Sequence, residues 1–190
     1  MRYAILAMAL VAAGCVTHTY PGVVLYTITP ELDVAQAQGT ERTLGIRPLV
    51  AALPYKQQVM FRESDFELRP YDNVQWAELP RDMVTRALTD ALVAAKRFKD
   101  VGNAADLNAP DWILTGELRR FEEVHTCDPW VAQCEVRLEL RDALGSEAIW
   151  AGTLSAREPL TQNDVAALAP AMSRAVAAVV EQAAAQIAER

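Results

Sequence analysis

Residues 134–141 alternate without a fault: Cys134, Val136, Leu138 and Leu140 face one way, Glu135, Arg137, Glu139 and Arg141 the other. Successive side chains leave opposite faces of a sheet, so this pattern requires a half-buried antiparallel strand. The apolar side of such a strand needs a covering layer. The closing segment supplies one: Met172, Val176, Val179, Ala183 and Ile187 recur at helical spacing, opposite Arg174, Glu181, Gln182 and Gln186. Pro170 is costly in a helix interior, at about 3 kcal/mol, which predicts a short turn over 163–168 and the main helix from about Ala169.

The rest of the chain reads as further strands and one more helix. Val23 to Ile28 is β-branched and aromatic and ends at Pro30; Glu31 to Glu41 is a polar, alanine-rich loop. Leu44 to Ala51 is a strand interrupted by Pro48. Gln58 to Arg62 and Phe66 to Tyr71 are short strands around a turn at Glu63-Ser64-Asp65. Pro80 to Ala95 carries Met83, Val84, Leu88, Leu92 and Ala95 on one helical face, with Pro80 suited to the first turn. Phe98 to Val101 begins a return strand, Trp112 to Val124 is a long one, and a turn at 142–146 leads into Ala148 to Ala156. The expected fold class is α+β, a single mixed or antiparallel β-sheet with two main helices packed on one face. A length of 190 residues suits one domain with its own core.

The formal net charge is −7 and no basic stripe is visible, which excludes nucleic acid as a partner and a docking surface for anionic headgroups. Histidines occur only at 18 and 125, and there is no Ser-centred elbow, phosphate-cradling glycine loop or His-Glu-x-x-His site. The expectation is therefore no enzyme, no cofactor and no metal.

One positive charge at Arg2 precedes an unbroken apolar run from Ala4 to Ala13. As a helix it spans about 15 Å, half of a bilayer's hydrocarbon core, so it reads as a secretory signal rather than a membrane anchor. Ala12-Ala13-Gly14-Cys15 resembles the lipobox of bacterial lipoproteins. There the cysteine thiol takes a diacylglycerol, and cleavage leaves the lipidated cysteine as the new N-terminus. Alanine three residues before the cysteine departs from the commoner leucine, and a plain secretory signal with a chance cysteine is the alternative. Val16 stands where an aspartate favours retention in the inner membrane, so passage to the outer membrane is expected. The reading divides the chain into a signal peptide at 1–14, a lipidated N-terminus and short tether at 15–22, and a folded domain at 23–190.

Lipidation of Cys15 leaves Cys127 and Cys134, and an even pair in an exported protein reads as a disulfide, here across a hairpin. Trp76, before a helix, and Tyr71, at a strand end, read as core residues or partner contacts. Trp130, on the loop between the cysteines, reads as a partner or membrane contact or as packing on the sheet. His125 reads as a solvated strand end, and Glu122-Glu123 as a solvated face, since glycosidase-type chemistry needs carboxylates set across a cleft. The closing helix packs on the sheet or presents an oligomer surface.

The ordered set of these segments resembles the ABC-type transport auxiliary lipoprotein family, the PqiC-like proteins. The resemblance is carried by Leu25-Tyr26-Thr27-Ile28 soon after the lipobox, Gly45-Ile46-Arg47-Pro48-Leu49, the stretch from Tyr71 to Pro80, Arg97 to Val101, Leu114 to Glu122, and the alanine-rich closing helix. It implies a non-enzymatic component of an envelope lipid-transport system, facing the periplasm. Its partners would be the outer membrane, reached through acyl chains on Cys15, an MCE (mammalian cell entry) domain protein and an inner-membrane ABC transporter complex, with further copies of the chain allowed. The rival readings are a lipid- or small-ligand-binding lipoprotein acting alone, which requires an apolar cavity beneath the sheet, and an envelope hydrolase.

Overall fold

A computed structural model describes residues 22–145 and 147–190. Among the described residues nine strands and two helices follow one another as β1 (Val24–Tyr26), β2 (Thr43–Ile46), β3 (Val50–Ala51), β4 (Gln58–Ser64), β5 (Glu67–Trp76), α1 (Pro80–Ala94), β6 (Asp100–Asn103), β7 (Trp112–Val124), β8 (Val131–Asp142), β9 (Ala148–Pro159) and α2 (Leu168–Ala188). All strands belong to one mixed sheet, and the expected α+β class with both helices on one face is what the chain adopts.

The sheet is organised around β7. One of its edges takes β8 antiparallel along its whole length, and β8 in turn takes β9. The other edge is shared by three short parallel strands placed end to end, with Leu44 against Trp112, Val50 against Glu117 and Met60 against Glu122. Pro48 explains the division of the expected Leu44–Ala51 strand into β2 and β3, because it has no N–H for the ladder. β4 then pairs with β5, β5 with β1, and β2 with β6.

The helices begin where proline predicts. Pro80 lies in the first turn of α1 and Pro170 in the first turn of α2, where a missing N–H is harmless. A single 3₁₀ turn at Val165–Ala167 precedes α2, and the Asp164 carboxylate accepts the Ala167 N–H at 3.0 Å. The core lies between sheet and helices: Leu114, Leu118, Val136, Leu138 and Leu140 meet Met172, Val176, Val179, Ala183 and Ile187, all essentially without exposure. Each large side chain buried there contributes roughly 1.5–3 kcal/mol. At Gly116 a Cβ would lie 2.6 Å from the Arg137 carbonyl oxygen, so only glycine allows β7 and β8 to approach this closely.

β7 departs from regular alternation once, between Leu118 and Arg120, where its register against β8 shifts. Leu118 pairs with Val136 and Phe121 with Cys134, so the core-facing set passes from even to odd numbers. One extra residue in a strand exchanges its faces.

Candidate functional site

That exchange controls the end of β7. Regular alternation after Leu118 would turn Arg120 and Glu122 into the core; the shift turns Phe121 and Glu123 inward instead. Both glutamates are nevertheless fully buried, at 0% exposure. This corrects the expectation of a solvated face: the two carboxylates leave opposite sides of the strand, and both sides are covered here.

Glu122 is held by Arg62 of β4. Arg62 Nε donates to Glu122 Oε1 at 2.6 Å and Nη2 to Oε2 at 3.0 Å, the two-point geometry that suits a guanidinium. The Tyr55 hydroxyl, from the β3–β4 connection, donates to Oε2 at 2.5 Å, and Arg120 Nη1 stands 3.6 Å from Oε1. Burial first, and then the neighbouring carboxylate, push the Tyr55 phenol far above its ordinary range, while the hydrogen bond to Glu122 raises Arg62. The knot is structural: it fastens β4 and its incoming loop to the end of β7.

Glu123 lies among aromatic rings. The Tyr71 hydroxyl of β5 donates to Glu123 Oε2 at 2.8 Å, and His125 Nε2 lies 3.6 Å from Oε1, which accepts no hydrogen bond. The His125 ring stacks between Trp130 at 3.6 Å and Phe61 at 4.9 Å, and its Nδ1 lies 3.3 Å from Glu63 Oε1. His125 is thus a packed residue rather than a solvated strand end, because the loop at 125–130 folds Trp130 back over it. That loop is pinned by Asn163, whose Oδ1 accepts the Trp130 N–H at 3.0 Å. Burial raises the Glu123 carboxyl above the ordinary range against the lowering effect of Tyr71 and His125, and burial likewise raises the Tyr71 phenol.

The folded state therefore keeps the Glu123 proton to higher pH than the unfolded chain does. Its stabilising contribution is complete below the ordinary carboxyl value of 4.5 and declines as pH rises through the raised folded value. Glu123→Gln is expected to remove this decline, read as a flatter dependence of unfolding free energy as pH rises above 4.5. An unchanged slope would show that Glu123 does not titrate in that window.

The candidate contact residues take distinct places. Trp76 is 1% exposed, set edge-on against Phe121 at 5.0 Å, so it is a core residue and offers no surface to a partner. Tyr71 and Trp130 stay half-buried, Tyr71 with its hydroxyl on Glu123 and its ring 4.5 Å from Phe61, Trp130 with its ring stacked on His125. Cys15 lies outside the described residues. The expected Cys127–Cys134 disulfide is not formed: both are free thiols, Cys127 exposed on the loop and Cys134 buried. The register explains this, since Cys134 sits inside β8 opposite Phe121 while Cys127 lies beyond the last pair, Val124 with Val131. Burial pushes the Cys134 thiol up to about 12, which makes it inert. In the Cys15→Ala protein one thiol is expected to react with an aromatic disulfide reagent in the native state and the second only after unfolding. Two unreactive sulfurs in the unfolded, unreduced chain would restore the bridge.

Among the described residues no group of three or more His, Cys, Asp or Glu side chains is arranged to hold a metal ion. No described helix is long and apolar enough to cross a membrane. The adjacent carboxylates do not face each other across a cleft, the arrangement that two-carboxylate hydrolysis uses. What the site does is lock one end of the sheet.

The family model of the ABC-type transport auxiliary lipoprotein component matches residues 26–184, from β1 to the last turns of α2. The chain belongs to that family. As a member it is a non-catalytic, auxiliary component related to ABC-type transport systems, a lipid-anchored protein of the periplasmic envelope. Among solved structures this auxiliary lipoprotein is similar to protein XCC0632 from Xanthomonas campestris, with a TM-score of 0.77 and 20% identity over 87% of this chain and 95% of that one. It is also similar to the hypothetical protein CT253 from Chlamydia trachomatis, with a TM-score of 0.50 and 10% identity over 80% and 95%. At these identities the likeness shows the fold. No curated protein matches the sequence.

Proposed function

We propose that this auxiliary lipoprotein is the outer-membrane-directed adaptor of an MCE-type lipid-transport assembly, as in the PqiC-like proteins, anchored by acyl chains on Cys15 and acting through protein contacts. The observation that carries an adaptor over a lipid carrier is the filled space between sheet and helices. Leu114, Leu118, Leu138, Leu140, Met172, Val176 and Val179 have no exposure there, and a carrier would need that space for an acyl chain. The larger clefts are open surface grooves. Two of about 590 and 620 Å³ flank α2, the first between Thr27, Thr29 and Arg174 and the second between Val34, Ala37 and Ala185, and both are open to solvent with Glu181 on their walls, so neither encloses an acyl chain. α2 presents a stripe of exposed residues, Arg174, Ala178, Gln182 and Ala185, for partner contact.

Photo-crosslinkers at Ala178 and Gln182 in cells, read by mass spectrometry, are expected to capture an MCE-domain protein. Membrane fractionation is expected to place the native protein with the outer membrane and to release the Cys15→Ala protein. Recovery of no MCE protein from either position or from Trp130 would count against the adaptor. An unchanged fractionation of Cys15→Ala would remove the anchor.

A further inference from the structure

Among the described residues two large apolar side chains are completely exposed, Phe66 at the β4–β5 turn and Leu144 at the β8–β9 turn, each at 100%. Strand directions set them at opposite ends of the sheet. Arg62, shortly before the first turn, pairs with Val124 at the end of β7, whereas Asp142, just before Leu144, pairs with Trp112 at its start. The loop at 125–130 lies at the Phe66 end, with Pro129 exposed and Trp130 half-buried.

β1 decides which end faces the anchor. It runs parallel to β5, with Val24 against Val74, and β5 begins at Glu67 beside Phe66. The chain therefore enters β1 heading away from the Phe66 turn. Leu25 is level with Gln75, which stands opposite Gln58 at the start of β4. The seven residues of β4 span about 20 Å up to the turn. The nine steps from Cys15 to Val24 reach at most about 30 Å. Cys15 can stand level with Phe66, while approach to the Leu144 end would require the chain to reverse before β1.

We infer that the Phe66 turn rests on the bilayer that holds the acyl chains of Cys15, with the phenyl ring in the headgroup and acyl boundary of a zwitterionic phospholipid leaflet. This rests on the lipid-anchor reading above. Glu63, Asp65 and Glu67 flank the ring, with Arg69 paired to Glu67, and Asp128 lies on the neighbouring loop. An anionic surface would repel this turn, and the lysine and arginine clusters that bind one are absent from it. A lone exposed aromatic ring at the rim suits the interfacial layer of a neutral one.

The test uses the full-length lipidated protein carrying Cys127→Ser, labelled at Phe66→Cys or Leu144→Cys with an environment-sensitive fluorophore. Both positions are fully exposed, so neither change touches the core. The probe is a phosphatidylcholine vesicle containing tail-brominated lipid, with flotation measured in the same samples. Emission from position 66 is expected to shift to the blue and lose most of its intensity to the bromines, while position 144 stays unchanged. A floating protein whose position 66 stays water-like, as it would if Phe66 served a protein partner, overturns the inference. Quenching at 144 overturns it as well. Failure to float, or equal flotation of Cys15→Ala, overturns the anchor itself.

Discussion

Arg62→Met is expected to lower folding stability by about 3–5 kcal/mol, because it leaves a fully buried carboxylate without its principal counter-charge. Glu122 has no exposure and Arg62 is only partly exposed, so water does not reach the carboxylate to replace the lost pair of hydrogen bonds. The Tyr55 hydroxyl and the more distant Arg120 remain, and neither supplies two donors in the plane of the carboxylate. Urea unfolding of the non-lipidated domain measures the effect as a shift in midpoint at constant slope. Replacing the whole knot by apolar groups, with Tyr55→Phe, Arg62→Met and Glu122→Leu together, is expected to recover most of the loss, since no charge or hydroxyl is then left buried alone. A loss below about 1 kcal/mol for Arg62→Met would place the pair among solvated surface bridges.

Trp76→Ala is expected to cost a similar amount, about 3–5 kcal/mol, for a different reason. The indole ends β5 immediately before α1, buried and edge-on against Phe121, and its removal opens a cavity between sheet and helices. Trp76→Phe is expected to cost far less. The indole N–H makes no hydrogen bond, so phenylalanine loses volume but strands no polar partner. The same unfolding experiment separates the core role from a contact role. If alanine at 76 left the midpoint in place while weakening capture of a partner, Trp76 would be a surface anchor.

Most of the architecture was legible in the chain because it rests on local periodicity. The alternation through Cys134–Arg141 placed β8, the Trp112–Val124 segment matched β7, and the prolines at 80 and 170 marked the helix starts. Pro48 marked a break that became the boundary between β2 and β3. The site was less legible. Glu122, Glu123 and His125 read as solvent-facing because their neighbours on β4, β5 and the loop at 125–130 are distant in sequence. The available signal was two acids followed by Val-His at the end of a strand whose alternation had already faltered at Arg119-Arg120.

The cysteines show the same division. An even pair of cysteines in an exported chain suggests a bridge, yet a bridge depends on register, and the register of β8 sets Cys134 against Phe121. By itself the sequence determined the class of fold and the order of its elements, through patterns that repeat every two or three to four residues, and the family, through the ordered set of motifs from Leu25 to the closing helix. Only the tertiary structure decided which faces those elements bury, which charges meet and which thiols stay apart. A one-residue shift inside β7 exchanges the two faces of the strand for every later side chain, deciding which one meets the helices, and no local pattern specifies it.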